Sequence, residues 1–468
     1  MTALVNIRPL ASPEALAAAL EALRGLFGDR LSTAQAVREH HGRDVTAHEA
    51  LPDAVVFCRS TEEVVQAVRI CADHGVPMVP FGTGTSLEGH IAAVHGGVSL
   101  DVSQMNEILE VNHADLDCLV QAGVTRKQLN EYLRQDGLMF PIDPGADASL
   151  GGMAATGASG TNAVRYGTMR ENVLGLTVVL ADGRVVRTGG RARKSSAGYD
   201  LTRLLVGSEG TLGIITEVRL RLHGIPEAMG AAVCSFDSLE GAVTTVIETI
   251  QMGVPVARIE LLDEVQVDAI NRYSKLDYPV LPTLFFEFHG TARWVEEQAD
   301  LVGELAAANG GQGFHWAKEA EDRAKLWQAR HDAFFACLAL KPGCQGWATD
   351  VCVPISRLAE CILETKRDIE ASGVVAPIVG HVGDGNFHLV YLLDPDSGEE
   401  RAAAEALNER MVKRALAMGG TCTGEHGIGI GKLDLLAEEH GDALPMMRAI
   451  KQALDPQGLM NPGKVVRV

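Results

Sequence analysis

Glycine is concentrated in this chain rather than spread through it. Fifty of the 468 residues are glycine, gathered around residues 82–97, 145–167, 207–213 and 419–431. Average usage is about 7%, and a glycine has no Cβ to keep a ligand away from the backbone. PFGTGTSLEG (80–89) follows an apolar run. In it Gly82 and Gly84 permit positive φ, and Thr83, Thr85 and Ser86 set hydroxyls beside successive N–H groups, a nest suited to a pyrophosphate. Two phosphate-binding patterns fail here. GxGxxG needs glycine where Leu87 stands, and a P-loop needs lysine where His90 follows Gly89. Alone, the loop is equally well a glycine turn without a ligand. PIDPGADASLGGMAATGASGTNAVRYG (141–167) shifts that balance, because loops of such length usually carry a function. GSEGTLGIITEV (207–218) is a third loop of this kind, feeding a strand.

At about 150 residues per domain, 468 residues make two to three domains. A composition 46% hydrophobic and 22% charged is that of an ordinary globular chain. The formal net charge of −20 argues against nucleic acid or an anionic membrane as the main partner. Nine cysteines, an odd number with no CxxC pair, argue against a disulfide framework and for a reducing compartment. The first residues lack a basic stretch followed by an apolar core, and no run of about 18 apolar residues occurs. The expectation is a cytoplasmic protein without a transmembrane span, with the inner face of the membrane as a variant.

Along the chain, residues 1–45 read as a helical lead-in. AVVFC, VPMVPF, GVSLDVS and CLVQAG read as short strands. STEEVVQAVRICADHG reads as a helix with Ser60 as N-cap, Glu63 three residues on and Gly75 at its end. TRKQLNEYLRQDG is a second such helix. LGLTVVLADGRVVRTG is a hairpin about Asp182-Gly183. Residues 227–395 change character, with longer helices and strands such as TLFFEFHG and ATDVCVP. SGEERAAAEALNERMVKRALAMGG and MMRAIKQALDPQGLMNPGK are the last helices.

The three glycine-rich loops, in this order and spacing, resemble the FAD-binding domain of the vanillyl-alcohol-oxidase/p-cresol-methylhydroxylase superfamily. LWQARHDAFFA, WATDVCVPISRL, GHVGDGNFH, TGEHGIGIGK and LDPQGLMNPGKV extend the resemblance over nearly the whole chain. They resemble the branch of FAD-linked D-lactate dehydrogenases (cytochrome) and glycolate oxidase flavin subunits. The resemblance implies an α+β fold: a two-subdomain FAD-binding domain over 1–225, an α+β cap over 226–410 and a C-terminal segment, 411–468, returning to the flavin. The active site is expected between the domains. Flavin contacts are implied for Gly82, Thr83, Gly84, Thr85, Ser86 and Gly89 in the first loop. In the second they are implied for Pro144, Gly145, Gly151, Gly152, Thr156, Gly157, Ser159, Gly160 and Gly167. Glu209, Gly210, Gly213 and Ile215 follow in the third, with Asn461 near the C-terminus. The first loop has no histidine before His90, so the FAD is expected to be non-covalent.

VGHVGDGNFHLVY (379–391) reads as two short strands joined at Asp384-Gly385, which sets His381 and His388 on neighbouring strands. Two imidazoles so placed can hold a divalent metal, although this segment alone equally allows two ordinary strand histidines. The resemblance implies His381, His388 and Glu425 as metal ligands and His426 as the base. Zinc ranks first, with manganese or iron behind it. A bound cation stabilises a developing alkoxide, much as zinc lowers the pKa of water to about 7, and a histidine of pKa about 6.5 can take the proton. Arg330 matches the carboxylate-binding arginine of the family, where the residues alone would make it a solvated surface arginine. Asn386, read as lying in the turn between the two histidines, is expected either to contact the substrate or to support the groups that do.

The implied reaction is oxidation of a D-2-hydroxy acid, D-lactate first, with glycolate or a longer D-2-hydroxy acid as alternatives. No iron–sulfur module is present, so the electrons are expected to leave to a cytochrome, an electron-transfer flavoprotein or a quinone. A homodimer is allowed. The competing readings are a metal-dependent hydrolase, which leaves the glycine loops unexplained, and a flavin subunit without activity of its own.

Overall fold

The computed structural model describes residues 10–44, 48–317 and 319–467. They form two compact units: 1–159 with 167–225 and 425–468, and 160–166 with 226–424.

The first unit carries two sheets. In one, the strands run in the order Leu31–Ser32, Ala54–Phe57, Val98–Asp101, Met78–Phe81. The last three are parallel, and Val98–Asp101 is buried throughout, as a parallel strand covered on both faces should be. Helix Thr61–Asp73 makes the crossover. Ser60 Oγ accepts the Glu63 N–H at its start, and Val64, Ala67, Val68 and Cys71 form its buried stripe. The C-terminal residues complete this sheet. Met78 N–H donates to Leu459 O, and Asn461 N–H donates to Met78 O.

The second sheet is antiparallel, in the order Ile108–Asn112, Asp117–Gln121, Ile214–Arg221, Val173–Val179, Val185–Gly189. The Asp182-Gly183 hairpin closes its edge, with Gly183 at φ +76°, a left-handed turn that suits glycine.

The second unit is built on one antiparallel seven-stranded sheet. Its order is Gly311–Ala317, Ala228–Phe236, Thr283–Gly290, Arg258–Leu262, Ile378–Gly380, Asn386–Leu393, Gln345–Cys352. Helices Leu239–Gln251, Ala292–Ala308, Leu358–Ser372 and Gly398–Ala417 pack side by side. Helices Glu264–Ser274 and Ala333–Leu340 bury Val267, Ile270, Ala336 and Cys337 in a cluster with Val233, Phe285 and Leu392 of the sheet.

Candidate active site

In the first unit the three glycine-rich loops meet. Ser149 N–H donates to Thr83 Oγ1 at 3.4 Å, and a Cβ on Gly82 would collide with Ser149 Oγ. Gly207 N–H and Glu209 N–H donate to Ala154 O and Ala155 O at 2.9 and 2.7 Å, which sets the third loop against helix Leu150–Thr156. Among the described residues, Ser86 Oγ, Ser149 Oγ and Ser208 Oγ are buried with no hydrogen-bond partner. One comes from each loop. Buried hydroxyls are ordinarily satisfied, and three unpartnered hydroxyls beside close-packed backbone fit the oxygen-rich surface of a dinucleotide.

Other glycines of the loops answer to protein packing. A Cβ on Gly151 would lie 2.5 Å from Ala122 Cβ, one on Gly210 2.8 Å from Pro80 Cγ, and one on Gly213 2.6 Å from Val178 Cγ1. Ile215 is a core residue.

The C-terminal segment locks onto the same loops. Asn461 Nδ2 donates to His90 O at 3.1 Å and to Glu209 O at 2.7 Å. The Glu209 side chain, expected at the flavin, is engaged by protein groups. Its carboxylate accepts Ile428 N–H at 2.7 Å and Gly429 N–H at 2.8 Å and lies 3.3 Å from His90 Nε2, so it is spent within the protein. Burial works to raise the Glu209 pKa, but His90 and the two N–H groups outweigh it and hold it below the usual carboxylate range. His426 is buried in this region, with Nδ1 3.8 Å from Glu88 Oε1. Lys432 Nζ lies 3.4 Å from the same oxygen.

In the second unit His381 and His388 come together edge to face, with ring centroids 5.1 Å apart. His388 is on strand Asn386–Leu393, opposite Val379. His381 is not on the preceding strand, as expected, but caps a 3-10 turn, Val382–Asp384. Asn386 likewise begins the strand rather than lying in the turn. Its Nδ2 donates to Val351 O at 3.1 Å and to Asp350 Oδ2 at 3.3 Å. Arg330 lies on helix Ala320–His331, while the neighbouring Lys325 is an exposed partner of Glu321.

Two carboxylates escaped sequence reasoning. Asp350, fully buried, accepts Gly424 N–H at 2.6 Å and Thr423 Oγ1–H at 3.0 Å, anchoring the chain one residue before Glu425. Glu260, also fully buried, takes His381 Nδ1 at 2.7 Å on Oε1 and both Nε and Nη2 of Arg330 at 2.8 Å on Oε2. Burial works to raise its pKa, but His381 and Arg330 more than offset this and hold it below the usual range. The signal was present in RIELL, a single acid within a buried apolar strand, where a charge is costly unless paired. With Nδ1 of His381 directed to Glu260, Nε2 of His381 and the imidazole of His388 are groups of the kind that suit a borderline divalent cation.

The two-sheet unit with its three glycine-rich loops, and the seven-stranded unit with its imidazole pair, correspond to the two domains of an FAD-linked oxidase. Residues 52–189 match the FAD binding domain family, and residues 225–465 match the family of FAD linked oxidases, C-terminal domain. "Probable D-lactate dehydrogenase, mitochondrial" of Danio rerio is 54% identical, over 96% of this chain and 92% of that one. "D-lactate dehydrogenase [cytochrome], mitochondrial" of Arabidopsis thaliana is 48% identical, over 95% and 79%. The crystal structure of p-cresol methylhydroxylase with substrate bound shares the fold at a TM-score of 0.80 and 19% identity, covering 98% of each chain. The chain belongs to the family of FAD-linked D-lactate dehydrogenases and glycolate oxidase flavin subunits. It is a flavin-dependent oxidoreductase, and its cofactor is FAD.

The cytoplasmic expectation is corrected by the same relatives, which are named as mitochondrial. An acidic composition and unpaired cysteines are equally at home in any reducing compartment, so neither distinguishes the cytoplasm from another such compartment. Among the described residues, no helix is long and apolar enough to cross a membrane.

Proposed function

We propose that the chain oxidises a D-2-hydroxy acid, D-lactate first, to the 2-oxo acid. The observation that carries this reading is the linkage of an imidazole pair to an arginine through the one buried carboxylate of Glu260. Such a linkage would keep the proposed metal ligand and the proposed anion-binding arginine in one cluster. The names of the 54% and 48% identical relatives support the same substrate.

FAD supplies the acceptor for the C2 hydride at N5 of its ring. A divalent cation, zinc first and manganese or iron behind it, supplies positive charge for the substrate oxygen. His381 and His388 would hold that cation, with Glu425 as third ligand. Arg330 pairs with the substrate carboxylate, which a planar guanidinium suits. His426 takes the hydroxyl proton as general base. Asn461 and the serines of the three loops hold the cofactor, without a covalent link. The electrons leave to a cytochrome, an electron-transfer flavoprotein or a quinone.

The test is His426→Ala. The variant keeps its flavin spectrum and loses about 10²- to 10⁴-fold in turnover of D-lactate, the usual range for a general base. Near-normal turnover would remove His426 from the reaction.

A further inference from the structure

Glu260 carries out no step of the proposed reaction itself, although both of its oxygens contact residues that do. An ionised carboxylate only accepts hydrogen bonds. The hydrogen between Glu260 Oε1 and His381 Nδ1, 2.7 Å apart, therefore belongs to the imidazole. A neutral His381 is thereby fixed with its lone pair on Nε2. Oε2 meets Arg330 side-on, through Nε and Nη2. Because the guanidinium is planar, its Nη1/Nη2 edge then points away from Glu260. The backbone makes this sharing possible. Leu261 stands opposite Gly380 in the sheet, so Glu260 and His381 are each one residue from that pair.

We propose that Glu260 is a positioning residue serving both halves of the site: it fixes the His381 tautomer that offers Nε2 to a divalent cation, and it turns the free edge of Arg330 toward the carboxylate of the substrate. This rests on the reading of His381 as a metal ligand and Arg330 as the anion-binding residue. Its consequence is that one side chain governs both metal affinity and substrate affinity.

Glu260→Gln separates this role from mere packing, because the amide has nearly the same shape but cannot satisfy both partners. If its oxygen stays on Arg330, its NH₂ faces His381 Nδ1 and drives the proton to Nε2, blocking the ligand. If the amide flips, NH₂ meets the N–H groups of Arg330, donor against donor. Metal-stripped wild type, Glu260→Gln and Glu260→Asp are titrated with Zn²⁺ and with Mn²⁺, and KM and kcat for D-lactate are measured after metal is restored. Glu260→Gln is expected to bind metal about 10- to 100-fold more weakly, the usual cost of removing such a partner, and to show a raised KM with flavin content unchanged. Glu260→Asp, which keeps two acceptor oxygens, recovers part of both.

Wild-type metal affinity and KM in Glu260→Gln overturn the proposal while leaving the metal reading in place. Absence of Zn²⁺ and Mn²⁺ binding by the stripped wild type overturns the metal reading itself, and the role of Glu260 with it. If Glu260→Gln does not fold, Glu260→Asp decides: an intermediate loss supports the proposal, and wild-type values contradict it.

Discussion

The two compact units solve their binding problems with different materials. The first uses backbone and small side chains, with Gly82 against Ser149, hydroxyls of Ser86, Ser149 and Ser208, and N–H groups of three loops. The second uses charged side chains that share a buried partner, with Arg330 and His381 on Glu260 and with Asn386, Thr423 and Gly424 on Asp350. A long, uniform ligand is met by repetition along the chain. The small anion and the metal proposed for the second unit would demand a few groups placed to within tenths of an ångström, drawn from wherever the sheet brings them together.

The difference can be tested from both sides. The largest effect is expected in the second unit. Arg330→Lys keeps the charge but loses the planar fork, and should lower kcat/KM for D-lactate about 10²-fold, mostly through KM, with flavin binding unchanged. An equal loss in kcat alone would mean that Arg330 acts on the transition state rather than on the bound carboxylate. In the first unit, Gly82→Ala should weaken FAD about tenfold, since the new methyl must displace Ser149 Oγ; the binding is read by titrating apoprotein with FAD, and wild-type affinity would remove Gly82 from the cradle. Gly213→Ala, whose methyl would press on Val178, should instead cost about 1–3 kcal/mol of stability, as overpacking does. If Gly213→Ala weakened FAD with stability unchanged, the division between cradle and packing glycines would be wrong.

The same contrast explains what could be read from the sequence. The glycine-rich loops were legible because their information is local: Gly82 to Ser86, the run after Pro144 and the loop after Gly207 each announce themselves within a few residues. The helix behind Ser60 and the hairpin at Gly183 were legible for the same reason. In the second unit His381, His388 and Arg330 stood out mainly through family resemblance. Glu260 and Asp350 did not stand out at all, because their roles depend on strand register. Glu260 reaches His381 across a pairing between residues 261 and 380, and no periodicity in either segment encodes that pairing. Compartment was misjudged because charge and cysteine usage report redox conditions and partners, not location.

The central claim is oxidation of a D-2-hydroxy acid by the bound flavin. The most direct test is to mix the flavin-loaded protein anaerobically with D-lactate and, separately, with L-lactate, and to follow the visible flavin absorbance. The account predicts bleaching by D-lactate and not by L-lactate. A flavin band left unchanged by D-lactate, glycolate and longer D-2-hydroxy acids alike would contradict it.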